Sequence, residues 1–246
     1  MQVIYGINPL LEAMKCGRMD VRSIVLASGR TGKPVQRIMT LAAEKGIPVE
    51  FKTREQVDKL AGNRSNQGVA GICRPYAYAD VDELIANRHA SLKSGLVLIL
   101  DGITDPQNLG SLIRTAQCCG ANGVIIPENR AAPVTAAVIK ASAGAAQHTS
   151  VAAVVNLAGT LDYLKEKGFW VYAADAAARN DFRDMDYDGN VALVMGSEGT
   201  GIRPLVRKKC DFFVSVPLLG KVESLNVSVA AGIIMYHISG KLKEGA

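Results

Sequence analysis

Five consecutive apolar residues, Leu96-Val97-Leu98-Ile99-Leu100, run into Asp101, and this run constrains the fold more than any other. A strand that is apolar at every position has no face to give to water, so it belongs in the middle of a sheet covered on both sides. Further apolar runs follow at 124–126, 151–155, 169–174, 191–195 and 212–216, with helical patterns between them at 109–119, 133–141, 157–167 and 202–208. Strands that alternate with helices predict a mostly parallel sheet with helices on both faces. After the last strand, Leu225, Val229, Ile233 and Tyr236 keep helical spacing, which predicts a buried terminal helix.

The first third reads as a smaller α/β unit. Asn8-Pro9 opens a helix with Asn8 as cap, followed by a strand over 21–27, a helix over 34–45, a strand over 48–51, a helix over 54–61 and a closing strand over 69–73. About 75 residues suffice for a small independent core. Within it, Gly62-Asn63-Arg64-Ser65-Asn66-Gln67-Gly68 is a loop without an apolar side chain, which is either functional or only a turn. The expected division is a first unit over 1–74, a linker over 75–93 that is helical at 81–87, and a second unit over 94–246.

Composition removes several classes. No apolar run in the 246 residues reaches the roughly 18 needed to span a membrane. The start, Met1-Gln2-Val3-Ile4-Tyr5-Gly6, lacks the basic and apolar regions of a secretory signal, so a cytoplasmic location is expected. Cys16, Cys73, Cys118, Cys119 and Cys210 are odd in number and contain no C-x-x-C, which argues against a disulfide framework and a zinc site. The adjacent Cys118 and Cys119 read as small packing residues. His89, His148 and His237 have no ligand spacing, so no metal is expected. The net charge of +5 is uneven, since residues 1–75 hold 12 Lys and Arg against 6 Asp and Glu. That excess suits a polyanion, although solvated surface lysines also produce it.

Three loops carry the chemistry. The first, from Asp101 through Asn108 to Arg114, turns from the buried strand into a helix for which Asn108 reads as the cap. Arg114 lies about 600° further round and need not share its face; a surface arginine explains it equally well. The second, Met195-Gly196-Ser197-Glu198-Gly199-Thr200-Gly201, has the glycines of a close backbone approach but neither dinucleotide nor P-loop spacing. Glu198 stands at a strand's carboxyl end, where functional carboxylates collect, with capping of a helix at Ile202 as the alternative. The third, Val216 to Val229, leaves a strand at Pro217 and enters the last helix with Ser224 as the expected cap and Asn226 beside it. Carboxyl ends of strands are where open α/β sheets bind ligands.

In this order the three loops resemble the motifs of the SpoU family of RNA ribose 2′-O-methyltransferases, in the knotted SPOUT superfamily. Asn108, Gly110 and Arg114 match N-x-G-x-x-x-R; Gly196, Glu198 and Gly201 match G-x-E-x-x-G; Pro217, Gly220, Ser224, Leu225, Asn226 and Ser228 match the third motif. The segments Tyr5–Glu12 and Asn66–Val69 are similar to the substrate-binding domain of the branch that methylates a guanosine of 23S ribosomal RNA, except that Asn66 stands where that branch often has His.

The resemblance implies a deep trefoil knot in the second unit and a first unit of the ribosomal-protein L30-like, RNA-binding kind. It implies S-adenosyl-L-methionine as methyl donor, with its adenosine held at Gly196, Val216 and Leu225. Asn108, Arg114, Glu198, Ser224 and Asn226 become the catalytic and positioning set, and a homodimer joined near the terminal helix is expected. Two other readings stay open: methylation of tRNA ribose, and a non-catalytic RNA-binding or ribosome-assembly protein on the same fold.

Overall fold

The computed structural model describes residues 1–16, 20–222 and 224–243. The chain divides into two compact units, residues 1–77 with 134–148, and residues 78–133 with 149–246.

In the first unit β1 (Gln2–Tyr5), α1 (Ile7–Cys16), β2 (Val21–Ala27), α2 (Lys33–Glu44), β3 (Val49–Lys52), α3 (Arg54–Ala61) and β4 (Val69–Cys73) build a four-stranded sheet in the order β1-β4-β2-β3. β2 and β3 are parallel, and β4 is antiparallel to both β1 and β2. Thr53 starts α3 through a reciprocal cap: its hydroxyl accepts from the Gln56 N–H while Gln56 Oε1 accepts from the Thr53 N–H. The first helix begins at Ile7 rather than after an Asn8 cap, because the turn at Gly6 already delivers the chain and the Gly6 carbonyl accepts the Leu10 N–H.

The second unit contains α4 (Val81–Ala86), β5 (Leu96–Asp101), α5 (Pro106–Cys118) and β6 (Gly123–Pro127). Then comes α6 (Ala136–Ala141), which belongs to the first unit although its sequence position predicted the second. β7 (Ser150–Val154), α7 (Leu157–Glu166), β8 (Phe169–Ala174), β9 (Asn180–Asp181), β10 (Asn190–Gly196), α8 (Pro204–Arg207), β11 (Phe212–Ser215) and α9 (Val227–Lys241) complete it. The seven strands are parallel, ordered β7-β6-β5-β10-β8-β11-β9, and β5 is buried at all six positions. Val97, Ile99, Ile125, Val171, Ala192 and Val194 join Leu157, Leu161 and Leu164 of α7 in its core.

Burial pushes the Cys73 and Cys210 thiols up to about 12 and that of Cys119 up to about 11, so these three stay protonated at neutral pH. Cys118, in contrast to its neighbour, is exposed. Among the described residues no helix is long and apolar enough to cross a membrane. α9 is apolar all round, and the stripe expected to be buried faces outward: Val229, Ile233 and Tyr236 are exposed, whereas Val227, Ala231, Ile234, Met235 and Ile238 are buried.

A Cβ at Gly123 in β6 would stand 2.4 Å from the Ser150 carbonyl oxygen and 2.6 Å from Leu84 Cγ. The carbonyl belongs to the paired strand and has nowhere to go. Gly123→Ala is expected to lower stability by about 1–3 kcal/mol, seen as a melting temperature several degrees lower; an unchanged melt would contradict this packing.

Candidate active site

Parallel pairing brings the carboxyl ends of β5, β10, β8 and β11 to one edge, with Asp101 and Gly196 side by side in register. The loop after β10 is folded on itself. Ser197 and Gly201 exchange backbone hydrogen bonds in both directions, and Gly199 and Gly201 hold φ of +95° and +65°. Gly196 must lack a side chain, since a Cβ there would meet the Gly201 carbonyl carbon at 2.3 Å. The far end of the loop is pinned by Asp101, whose fully buried carboxylate accepts from the Arg203 backbone N–H at 2.8 Å and from its Nε at 2.6 Å.

So held, the loop presents Glu198. Its Oε1 accepts from Asn226 Nδ2 at 2.7 Å, from Asn108 Nδ2 at 3.3 Å and from the Val227 backbone N–H at 3.3 Å. Asn226 Nδ2 also donates to Asn108 Oδ1 at 3.0 Å, so both of its amide hydrogens are used. One carboxylate thereby joins the segments after β5, after β10 and before α9.

The helix caps differ from those expected. Asp105 caps α5, accepting from the Gln107 and Asn108 N–H groups with Pro106 in the first position, which leaves the Asn108 side chain free for the site. Asn226, not Ser224, caps α9: its Oδ1 accepts from the Ser228 N–H and hydroxyl. An asparagine two residues after a serine competes for the same role and here wins it. Glu198 caps a helix as well, but that helix is α9, since α8 begins only at Pro204.

Beside this junction lies a cavity of about 530 Å³, a size suited to a small-molecule or cofactor site. Gly196, Val216, Leu225, Ser224 and Glu198 line it, as do Met195, Val214 and Ile234. Asn108 and Asn226 do not line it themselves but bond to Glu198, which does. Arg114 is exposed on α5 and, among the described residues, makes no hydrogen bond or ion pair; the neighbouring Thr115 packs near Gly232 of α9.

The sequence reading missed Asp175 and Arg207, which line the cavity and are paired with each other. Arg207 also lies over the Phe213 ring, 4.5 Å from its centroid. Burial opposes ionisation of Asp175, but the bonds from Arg207 and the Ala177 N–H outweigh it, so its carboxyl lies below the ordinary value. Asp175 directly follows an apolar strand, as Asp101 does, and that signal was available; Arg207 offered none.

Apolar walls, glycine backbone and two carboxylates form a donor set that fits a flat aromatic ring linked to a cationic centre. Asp101→Ala is expected to cost about 1–3 kcal/mol by stranding the Arg203 donors, and to weaken any ligand of the cavity. Thermal unfolding tests this; unchanged stability would contradict the anchoring role.

Residues 95–236 match the family described as SpoU rRNA Methylase, and residues 3–79 match the family described as RNA 2′-O ribose methyltransferase substrate binding. The chain is 42% identical over 238 residues to YacO of Bacillus subtilis, a protein assigned to the TrmH family of tRNA/rRNA methyltransferases, covering 97% of this chain and 95% of that one. Among solved structures, the AdoMet-bound rRNA methyltransferase of Sinorhizobium meliloti superimposes with a TM-score of 0.80 at 23% identity, covering 99% of this chain and 88% of that one. The TrmH/SpoU tRNA modifying enzyme of A. aeolicus gives a TM-score of 0.56 at 26% identity, covering 65% and 82%.

Proposed function

The chain belongs to the SpoU rRNA methylase family, and from that premise we propose that it methylates the ribose 2′-hydroxyl of a guanosine in large-subunit (23S) ribosomal RNA. It is an S-adenosylmethionine-dependent RNA ribose 2′-O-methyltransferase. The ribosomal target is our own reading, and the observation that carries it is the separate amino-terminal unit. The Sinorhizobium meliloti rRNA enzyme aligns with 99% of this chain, whereas the A. aeolicus tRNA enzyme aligns with 65%. In this reading residues 1–74 bind RNA, 75–93 connect, and 94–246, apart from the 134–148 segment that packs into the first unit, form the knotted catalytic domain. The work is cytoplasmic, and the exposed Val229, Ile233 and Tyr236 of α9 support pairing into a homodimer.

S-adenosylmethionine, when bound, supplies an electrophilic methyl group on a sulfonium centre. The backbone at Gly196, Val216 and Leu225 would hold its adenosine, and the carboxylates of Asp175 and Glu198 suit its positive charge. A ribose hydroxyl is a weak nucleophile that must shed its proton as it takes the methyl group. No histidine lies in the three loops, and a guanidinium keeps its protons in proteins. Arg114 therefore acts electrostatically, holding an RNA phosphate and stabilising the developing alkoxide. Its exposure, with no acidic partner among the described residues, leaves it open for that contact. Asn108, Glu198, Ser224 and Asn226 fix the ribose and the donor relative to one another.

Arg114→Ala is expected to lower the methylation rate by about 10²-fold or more while donor affinity, read by calorimetry, holds; near-normal turnover would contradict its role. For the target, the protein is incubated with radiolabelled S-adenosylmethionine and either unmodified 23S rRNA or tRNA, and the labelled nucleotide is mapped. Label in one rRNA guanosine is the expected result. Label confined to tRNA overturns the target and keeps the chemistry, and label in neither favours a non-catalytic RNA-binding protein.

A further inference from the structure

The sheet of the first unit sends four chain segments out at one end. Ala27 lies opposite Lys52 in the parallel β2–β3 pair, and in the antiparallel pairs Leu26 lies opposite Val69 and Tyr5 opposite Ala70. The segments that follow Tyr5, Ala27 and Lys52, and the one that precedes Val69, therefore gather together. They carry Arg30 and Lys33, Arg54, and Arg64.

The polar loop 62–68 sits at this end and is built, not slack. Asn66 is fully buried; its Nδ2 donates to Asp58 at 2.6 Å and to the Asn63 carbonyl at 2.5 Å, and its Oδ1 accepts from the Gly68 N–H at 2.7 Å. The residue that departs from the family's frequent His is thus a structural pin. Gln67, although not glycine, takes φ +59°, and its Oε1 accepts from the Ile7 N–H at 2.9 Å. Backbone strain of this kind persists only where the surroundings over-determine it, and it gathers at functional sites. Arg54 braces the loop by donating to the Arg64 carbonyl at 2.9 Å and to Asp58 at 3.1 Å, and Lys140 does so by donating to the Ser65 carbonyl at 3.0 Å.

Two arginines close over Gly68. A Cβ there would lie 3.0 Å from Arg54 Nη1 and 3.7 Å from Arg30 Cδ. Arg30, Lys33 and Arg64 are exposed, and none has an acidic partner within 4.0 Å among the described residues. The carboxylates nearby in sequence are Asp58, already engaged by Arg54, Glu50, paired with Lys52, and Glu55 in the first turn of α3. Cations held on a stiff loop repel one another until an anion joins them, and guanidinium forks match phosphate oxygens two at a time.

We propose that this end of the first unit grips the RNA backbone: Arg30, Arg54 and Arg64, with Lys33, hold successive phosphates irrespective of base, and loop 62–68 is the rigid ledge that spaces them. The inference rests on RNA being the substrate. Phosphate contacts of this kind set the register of the strand and leave base choice to the catalytic unit.

The test is binding of a single-stranded oligouridylate to the full chain by fluorescence anisotropy across a salt series. The wild type is compared with Arg30→Ala, Arg64→Ala, the double variant, and Lys45→Ala, which removes a cation from the opposite end of α2. Removing one phosphate-holding side chain should lower the slope of log affinity against log salt by about 0.7. The expected result is that decrement for each arginine variant, about twice it for the double, and an unchanged slope for Lys45→Ala. Unchanged slopes in the arginine variants, or an equal drop with Lys45→Ala, overturn the proposal in favour of diffuse charge. Calorimetric S-adenosylmethionine affinity, measured on the same samples, keeps the two readings separate. A wild type that binds RNA but no donor refutes the enzymatic reading while the slopes still decide this one.

Discussion

The site hangs on one carboxylate oxygen. Glu198 Oε1 receives donors from Asn108, Asn226 and the Val227 backbone, three groups that lie 90, 28 and 29 residues away in sequence. Hydrogen bonds to a charged acceptor are stronger than neutral ones and are costly to leave half made. If any of the three segments moves, the others lose a partner as well, so the junction is a shared constraint rather than a set of pairs. The Val227 N–H is one of the donors that a helix start leaves unsatisfied, and its use fixes where α9 begins.

That junction works because the sheet beneath it is parallel. Parallel strands deliver all their carboxyl ends to one edge, so Asp101, Ala174, Gly196 and Ser215 arrive together without any local signal that they will. Asp101, buried and satisfied by Arg203, anchors the loop that carries Glu198, while the paired Asp175 and Arg207 also line the cavity. Chemistry placed here is backed by rigid strands, which suits a transfer in which nucleophile and donor must meet in line.

Much of this was legible in the residues, and what was not has physical reasons. Runs such as Val69–Cys73 and Phe169–Ala174 became strands at the predicted bounds, because strands buried along most of their length leave an apolar signature. Val21–Ala27 did so as well, its apolar stretch Ile24–Ala27 being buried while Arg22 is exposed. The caps were misread where Asp105 and Asn108, or Ser224 and Asn226, stand within three residues of each other; all are good capping residues, and only tertiary partners decide between them. α9 was recognised as a helix but its faces were reversed, since a helix apolar all round has no sequence-encoded inside. The assignment of 134–148 to the first unit is a property of long-range packing, to which periodicity is blind.

The most direct measurement of the junction is a double-mutant cycle of Glu198→Ala and Asn226→Ala, read both as unfolding free energy in urea and as calorimetric affinity for S-adenosylmethionine. If one carboxylate ties the three segments together, each single change already opens the junction and the second adds little. The cycle should then give a coupling of about 1 kcal/mol or more. Effects that add to within about 0.3 kcal/mol would mean that the two side chains act independently, and the account of a shared constraint would be wrong.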